Sequence, residues 1–221
     1  MYLWLILALS LALLEVIAVS KNLKQLEYIA KPAVMVFLFL WLFTTTGLQG
    51  NPFWFGLGIL FSLAGDVLLM ASPDRFFLLG LIAFVFVHIC YIAGFREEIT
   101  NISAWSLILL VFIAINISRL LRHIVGAIQR KGENRLILPV IVYGTVISVM
   151  LYAAMSTISN SAWTASAAFF TSTGAFLFVI SDTVLAWMRF VAPIQNGRVW
   201  NIVLYYLGQF GLIAGVIRQF G

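Results

Sequence analysis

The sequence predicts an all-α membrane protein: a bundle of eight transmembrane helices with both termini on the non-cytoplasmic side. Three observations carry this. Of the 221 residues, 63% are hydrophobic and only 10% are charged, against about a quarter charged in a soluble domain. Most of this surface therefore needs lipid as its solvent. Eight apolar segments approach the ~20 residues a helix needs to cross the hydrocarbon core. They are about 2–19, 30–48, 52–71, 76–95, 103–121, 136–156, 163–188 and 199–218. Eleven of the 13 Lys and Arg residues lie in or beside the odd-numbered loops, which the positive-inside rule assigns to the cytoplasm.

Span 1 lacks a charged n-region and an A-x-A site, and Glu15 interrupts it. It reads as a retained helix rather than a signal peptide. After the polar stretch Lys21–Glu27, span 2 opens near Lys31 and Pro32 and closes at Gln49-Gly50-Asn51-Pro52. Both prolines are expected near helix starts, where a missing N–H costs little. Span 3 carries Asp66 and ends at Ser72-Pro73-Asp74-Arg75; span 4 carries His88, Cys90 and Tyr91 and ends at Arg96–Asn101. The break after span 5, Arg122–Arg135, is the one long loop expected. Span 6 carries Tyr143 and ends at Ser159-Asn160-Ser161. Span 7 carries Asp182 and ends at Arg189–Arg198, and span 8 carries Tyr205 and Gln209. No polar stretch is long enough for a second unit, so residues 1–221 are expected to form one domain.

The even loops and the tail hold only Arg96 and Arg218. The net charge of +5 therefore reports topology, not nucleic-acid binding. The single cysteine, Cys90, cannot form an intramolecular disulfide, and no Cys/His spacing suits a metal.

A charge deep in the bilayer costs at least ~2.5–3.5 kcal/mol on insertion scales. Glu15, Asp66, His88 and Asp182 are thus a short and informative set. Asp66 falls ~7 Å and Asp182 ~9 Å from the cytoplasmic ends of their spans at 1.5 Å per residue. Lys31, Tyr143, Tyr205 and Gln209 enter from the same side, so polar groups from several helices converge on the cytoplasmic half. Two carboxyls sharing a low-dielectric site cannot easily both ionise, which leaves one acid and one carboxylate for general acid/base hydrolysis. Lys31 would hold the carboxylate ionised or grip a phosphate. Each residue also has a plainer reading. The aspartates would then be interhelical hydrogen bonds, Lys31 would snorkel, His88 would bond to Tyr91 or the backbone, and the tyrosines would only pack.

Several stretches together carry a resemblance. They are Lys31-Pro32; Ser62-Leu-Ala-Gly65-Asp66-Val-Leu-Leu; and Gly80 with Phe84, His88 and Tyr91. Tyr143 follows, then Gly174-Ala-Phe-Leu-Phe178 with Ser181-Asp182-Thr-Val-Leu185-Ala186, and Tyr205 with Gln209. In order and spacing the chain resembles the YhhN/TMEM86 family of integral membrane proteins, whose characterised members are lysoplasmalogenases. One departure is Gly208-Gln209 where Ala-Gln is expected. The resemblance implies an eight-helix fold and cleavage of the vinyl ether bond of lysoplasmalogen, a lysophospholipid, to a fatty aldehyde and a glycerophospho-alcohol. Asp66 and Asp182 would be catalytic, with Lys31, His88, Tyr143, Tyr205 and Gln209 binding substrate or supporting them. No metal or organic cofactor is required. The expected setting is a bacterial inner or plasma membrane, with membrane lipids as neighbours and the site toward the cytoplasm. A small proton-coupled transporter and a non-catalytic lipid-binding protein are the alternatives. A hydrolase needs a dead-end pocket, whereas a carrier needs a path able to open to both sides.

Overall fold

The computed structural model describes residues 2–72, 74–96 and 104–221. Pro73, most of the predicted break at 96–101 and the predicted start of span 5 at residue 103 lie outside them. The described residues form eight helices long and apolar enough to cross a membrane, and no strand. They are α1 (Tyr2–Ser20), α2 (Lys24–Thr46), α3 (Asn51–Ala71), α4 (Phe77–Gly94), α5 (Ala104–Arg130), α6 (Ile137–Ser156), α7 (Ala165–Ala186) and α8 (Gly197–Phe220).

Two boundaries differ from the sequence reading. Helix α2 begins at Lys24, so Lys31 stands two turns inside it and Pro32 is interior rather than at a start. Tertiary contacts account for the extra turns: Glu27 pairs with Arg198 at 2.6 Å, and Tyr28 donates to the Met70 carbonyl at 3.0 Å. Having no N–H, Pro32 leaves the Tyr28 carbonyl without its helical donor. Helix α5 runs on to Arg130, so the predicted long loop is mostly helix. Its last turns are amphipathic: Ile124, Ala127 and Ile128 are buried against Leu136, Val140 and Phe190, while the basic residues point away. Gly132, at φ +73°, supplies the left-handed turn that ends the helix.

The loops sort to two ends. At one end Arg198 meets Glu27 and Asn22, Arg189 meets Asp74 at 2.8 Å, and Lys131 donates to the Arg189 carbonyl at 3.0 Å. The junctions α1–α2, α3–α4, α5–α6 and α7–α8 therefore gather together. At the other end Gln219 bonds to Ala162 and Thr164, and the Trp163 ring lies 5.7 Å from Phe220 and 6.0 Å from Phe95. Successive helices thus alternate in direction, and the basic residues predicted for the odd loops share one end.

Helix α8 is central, touching α1, α2, α3 and α7. Its contact with α7 is the tightest in the bundle, because Gly174 on α7 lies against the backbone of Gly208, Gly211 and Leu212. Small residues let membrane helices approach closely. A Cβ at Gly174 would strike the Leu212 backbone nitrogen. Gly174→Val is expected to lower the unfolding free energy in detergent by at least ~1–3 kcal/mol. Gly126→Ala, where the nearest atom is an arginine side chain 3.6 Å away, should be neutral. Thermal melts of the two variants compare them directly.

Candidate active site

Asp66 lies five residues before the end of α3, where α2 and α8 both reach it. Lys31 Nζ stands 2.9 Å from Asp66 Oδ1, and Tyr205 Oη donates to Oδ2 at 2.7 Å. The Asp66 side chain is 2% exposed and that of Lys31 16%. An ion pair taken out of water is tolerated only when its remaining lone pairs are also satisfied, and Tyr205 does this for the carboxylate. Lys31 also sits over the Tyr205 ring, 5.6 Å from its centroid.

Asp182 lies four residues before the end of α7 in a different setting. Tyr143 of α6 donates to Oδ2. His88 of α4 places Nε2 3.1 Å from the Tyr143 hydroxyl and 3.8 Å from Asp182 Oδ2. His88 Nδ1 is buried with no partner. A lone pair is cheaper to leave there than an N–H, so the relay is satisfied with the proton on Nε2. His88 then donates to Tyr143, and Tyr143 donates to Asp182. Among the described residues no lysine or arginine pairs with Asp182 and Oδ1 takes no protein hydrogen bond; the side chain is 14% exposed.

Phe178, one turn before Asp182, joins the two clusters. Its ring lies 5.1 Å from His88 and 5.5 Å from Tyr205. Beside Asp182, Ser181 and Asn201 exchange hydrogen bonds at 2.9 Å that tie α7 to α8.

Both aspartates line one cavity of about 670 Å³, within the ~300–1,000 Å³ usual for small-molecule sites. Lys31, Tyr143 and Tyr205 line it too, with apolar walls from Leu69, Leu81, Phe84, Val140 and Leu185. Lys24, Ala71 and Arg198 line its mouth, at the end where the odd loops gather. The lining goes no deeper than the level of the carboxyls and Phe84. Beneath lies a closed layer in which Tyr91 donates to Gln209 Oε1 at 2.7 Å and Gln209 donates to Ser62 at 2.9 Å.

Of the residues singled out from sequence, Asp66, Asp182, Lys31, Tyr143 and Tyr205 therefore share the cavity. His88 stands behind Tyr143, and Gln209 lies one turn below Asp66 through Ser62; neither lines the space. Glu15 does line it, fully buried, and accepts a hydrogen bond from Tyr206. The basic residues Arg119–Arg135 take no part in the lining.

The YhhN family profile matches residues 26–216. The chain belongs to the YhhN family. A mouse relative named lysoplasmalogenase TMEM86B is 31% identical over 193 residues, 86% of this chain and 74% of the relative. The human protein of that name is 26% identical over 195 residues, covering 85% and 73%. Bovine lysoplasmalogenase TMEM86A is 25% identical over 172 residues, covering 73% and 64%. No solved structure gives a significant match.

Within this YhhN-family chain, sequence reasoning missed Tyr206 as the partner of Glu15 and the charged residues at the cavity mouth. The signal for Tyr206 was present: Glu15 and Tyr206 both lie in the half of the span nearest the odd loops. Lys24 and Arg198 were counted only as topology determinants, although each stands seven residues from a site residue on its own helix.

Proposed function

We propose that this chain is an integral membrane lysoplasmalogenase, a single eight-helix domain with both termini outside and its cavity open toward the cytoplasm. The observation that carries the reading is two carboxyls that line one cavity with different partners. Asp66 is ion-paired with Lys31, while Asp182 faces the space with no lysine or arginine partner among the described residues. The relatives named lysoplasmalogenase supply the bond to be broken, and the surplus of basic residues at the mouth end supports the orientation.

In the proposed reaction, protonated Asp182 gives its Oδ1 proton to the alkenyl carbon next to the oxygen-bearing one, leaving an oxocarbenium ion. Water adds to that cation and passes a proton to Asp66. In the resulting hemiacetal, Asp182 takes the hydroxyl proton while Asp66 returns its own to the departing glycerol oxygen. The products are a fatty aldehyde and a glycerophospho-alcohol, and both carboxyls are restored. Paired-carboxylate glycoside hydrolysis follows the same logic. Tyr143, oriented by His88, keeps Oδ2 of Asp182 occupied so that Oδ1 carries the mobile proton. Lys31 and Tyr205 hold Asp66 in place.

The purified protein in detergent, given a lysoplasmalogen, is expected to release aldehyde and glycerophospho-alcohol in equal amounts. A saturated ether analogue should be untouched. Absence of aldehyde from ethanolamine and choline lysoplasmalogens alike would remove the substrate assignment.

A further inference from the structure

Three site residues have a cation seven residues away in the chain, two of them on the same helix. Lys24 precedes Lys31 by seven residues on α2, and Arg198 precedes Tyr205 by seven on α8. Arg189 follows Asp182 by seven, in the wider helical turn Trp187–Val191 that continues from α7. On α2 and α8 seven residues advance about 10 Å and return to the same helix face. All three cations line the same cavity as the carboxyls. They come from α2, α8 and the turn that follows α7, and form a collar at the mouth.

The collar is only partly neutralised. Arg198 pairs with Glu27 at 2.6 Å and Arg189 with Asp74 at 2.8 Å. Asp74 is 85% exposed and does not line the cavity, so Glu27 is the one carboxylate facing the collar among the described residues. Lys24 makes no ion pair among them. Several fixed positive groups over a narrow apolar cavity suit an anion with spread charge, and guanidinium forks match phosphate oxygens.

We propose that Lys24, Arg189 and Arg198 form a phosphate subsite that holds the headgroup of a single-chain phospholipid two helical turns above Asp66 and Asp182. This rests on the hydrolase reading and adds a ruler to it. In a lysoplasmalogen six bonds separate the oxygen-bearing alkenyl carbon from phosphorus, an extended reach of about 7 Å. That reach, plus the inward length of the basic side chains, spans the interval between collar and carboxyls. A phosphate held at the collar therefore places the vinyl ether between the aspartates and sends the alkyl chain along the apolar wall of Leu69, Leu81 and Phe84.

The test is a binding titration of the intact protein in non-ionic detergent, followed by tryptophan fluorescence. The probes are an O-alkyl glycerophosphoethanolamine, the O-alkylglycerol without the headgroup, and inorganic phosphate. Neither lipid can be hydrolysed, so binding is read apart from turnover. The phospholipid is expected to bind about tenfold or more tighter than the alkylglycerol. Lys24→Gln, which breaks no ion pair, should narrow that gap several-fold, as should Arg189→Gln, while affinity for the alkylglycerol stays the same. Inorganic phosphate should not compete at millimolar concentration. Equal binding of the two lipids by the wild type overturns the collar, as does a gap that both substitutions leave intact. Competition by free phosphate also overturns it, in favour of a soluble-anion site. Equal binding with aldehyde still released from lysoplasmalogen leaves the hydrolase reading standing without the collar. Selective binding with no aldehyde does the reverse.

Discussion

Asp182→Asn is expected to abolish aldehyde release, lowering the rate by roughly 10²–10⁴-fold, the usual contribution of a positioned general acid. The substitution keeps the size of the side chain and an oxygen to accept from Tyr143. It adds no charge to a side chain that is already 14% exposed to the cavity. Folding should therefore be preserved, and the melting transition in detergent should stay close to that of the wild type. What disappears is the proposed proton donor, a cavity-lining carboxyl that has no lysine or arginine partner among the described residues. The measurement is aldehyde production at equal amounts of folded protein. Full activity in this variant would mean that protonation comes from elsewhere.

Lys31→Met is expected to act through stability as much as through catalysis. It leaves the Asp66 carboxylate, 2% exposed, with Tyr205 as its one remaining partner among the described residues. Removing one member of a buried ion pair costs about 3–5 kcal/mol, because the other charge stays behind uncompensated. The melting transition should fall well below that of the wild type. Adding Asp66→Asn to the same chain removes the orphaned charge and should recover most of the lost stability. Aldehyde release should not return, because the carboxylate proposed to receive the proton from water is gone. This separates a pair that is merely structural, whose double replacement would keep activity, from one that also takes part in the reaction.

Much of the fold was legible because the bilayer imposes a length on every spanning segment and excludes charge from its interior. Those two constraints locate eight helices and pick out Asp66 and Asp182 before any contact is known. They say little about a helix that continues beyond the hydrocarbon. The first turns of α2 and the last turns of α5 read as polar loops, yet each is held in helix by neighbours: Glu27 and Tyr28 by Arg198 and Met70, and Ile124 and Ile128 by Val140 and Phe190. Depth along the membrane normal can be counted from sequence, whereas rotation about a helix axis cannot be counted across helices. Asp66 and Asp182 could thus be placed at one level. That Lys31 and Tyr205 go to Asp66, while Tyr143 and His88 go to Asp182, depends on which helices are neighbours. The separation of Gln209 from the cavity was hidden for another reason, because how deep a cavity reaches depends on the side chains that close it. Gln209 shares a helix face with Tyr205 but lies one turn deeper, where Tyr91 and Ser62 enclose it.

The positioned acid is tested most directly by the stereochemistry of the proton it delivers. The reaction is run in deuterium oxide and the aldehyde reduced as it forms, before exchange can scramble the carbon beside the carbonyl. Delivery from Asp182 to one face of a held vinyl ether predicts a single deuterium at that carbon in one configuration. An equal mixture of the two configurations would show that bulk solvent protonates the alkene, and would contradict Asp182 as the acid.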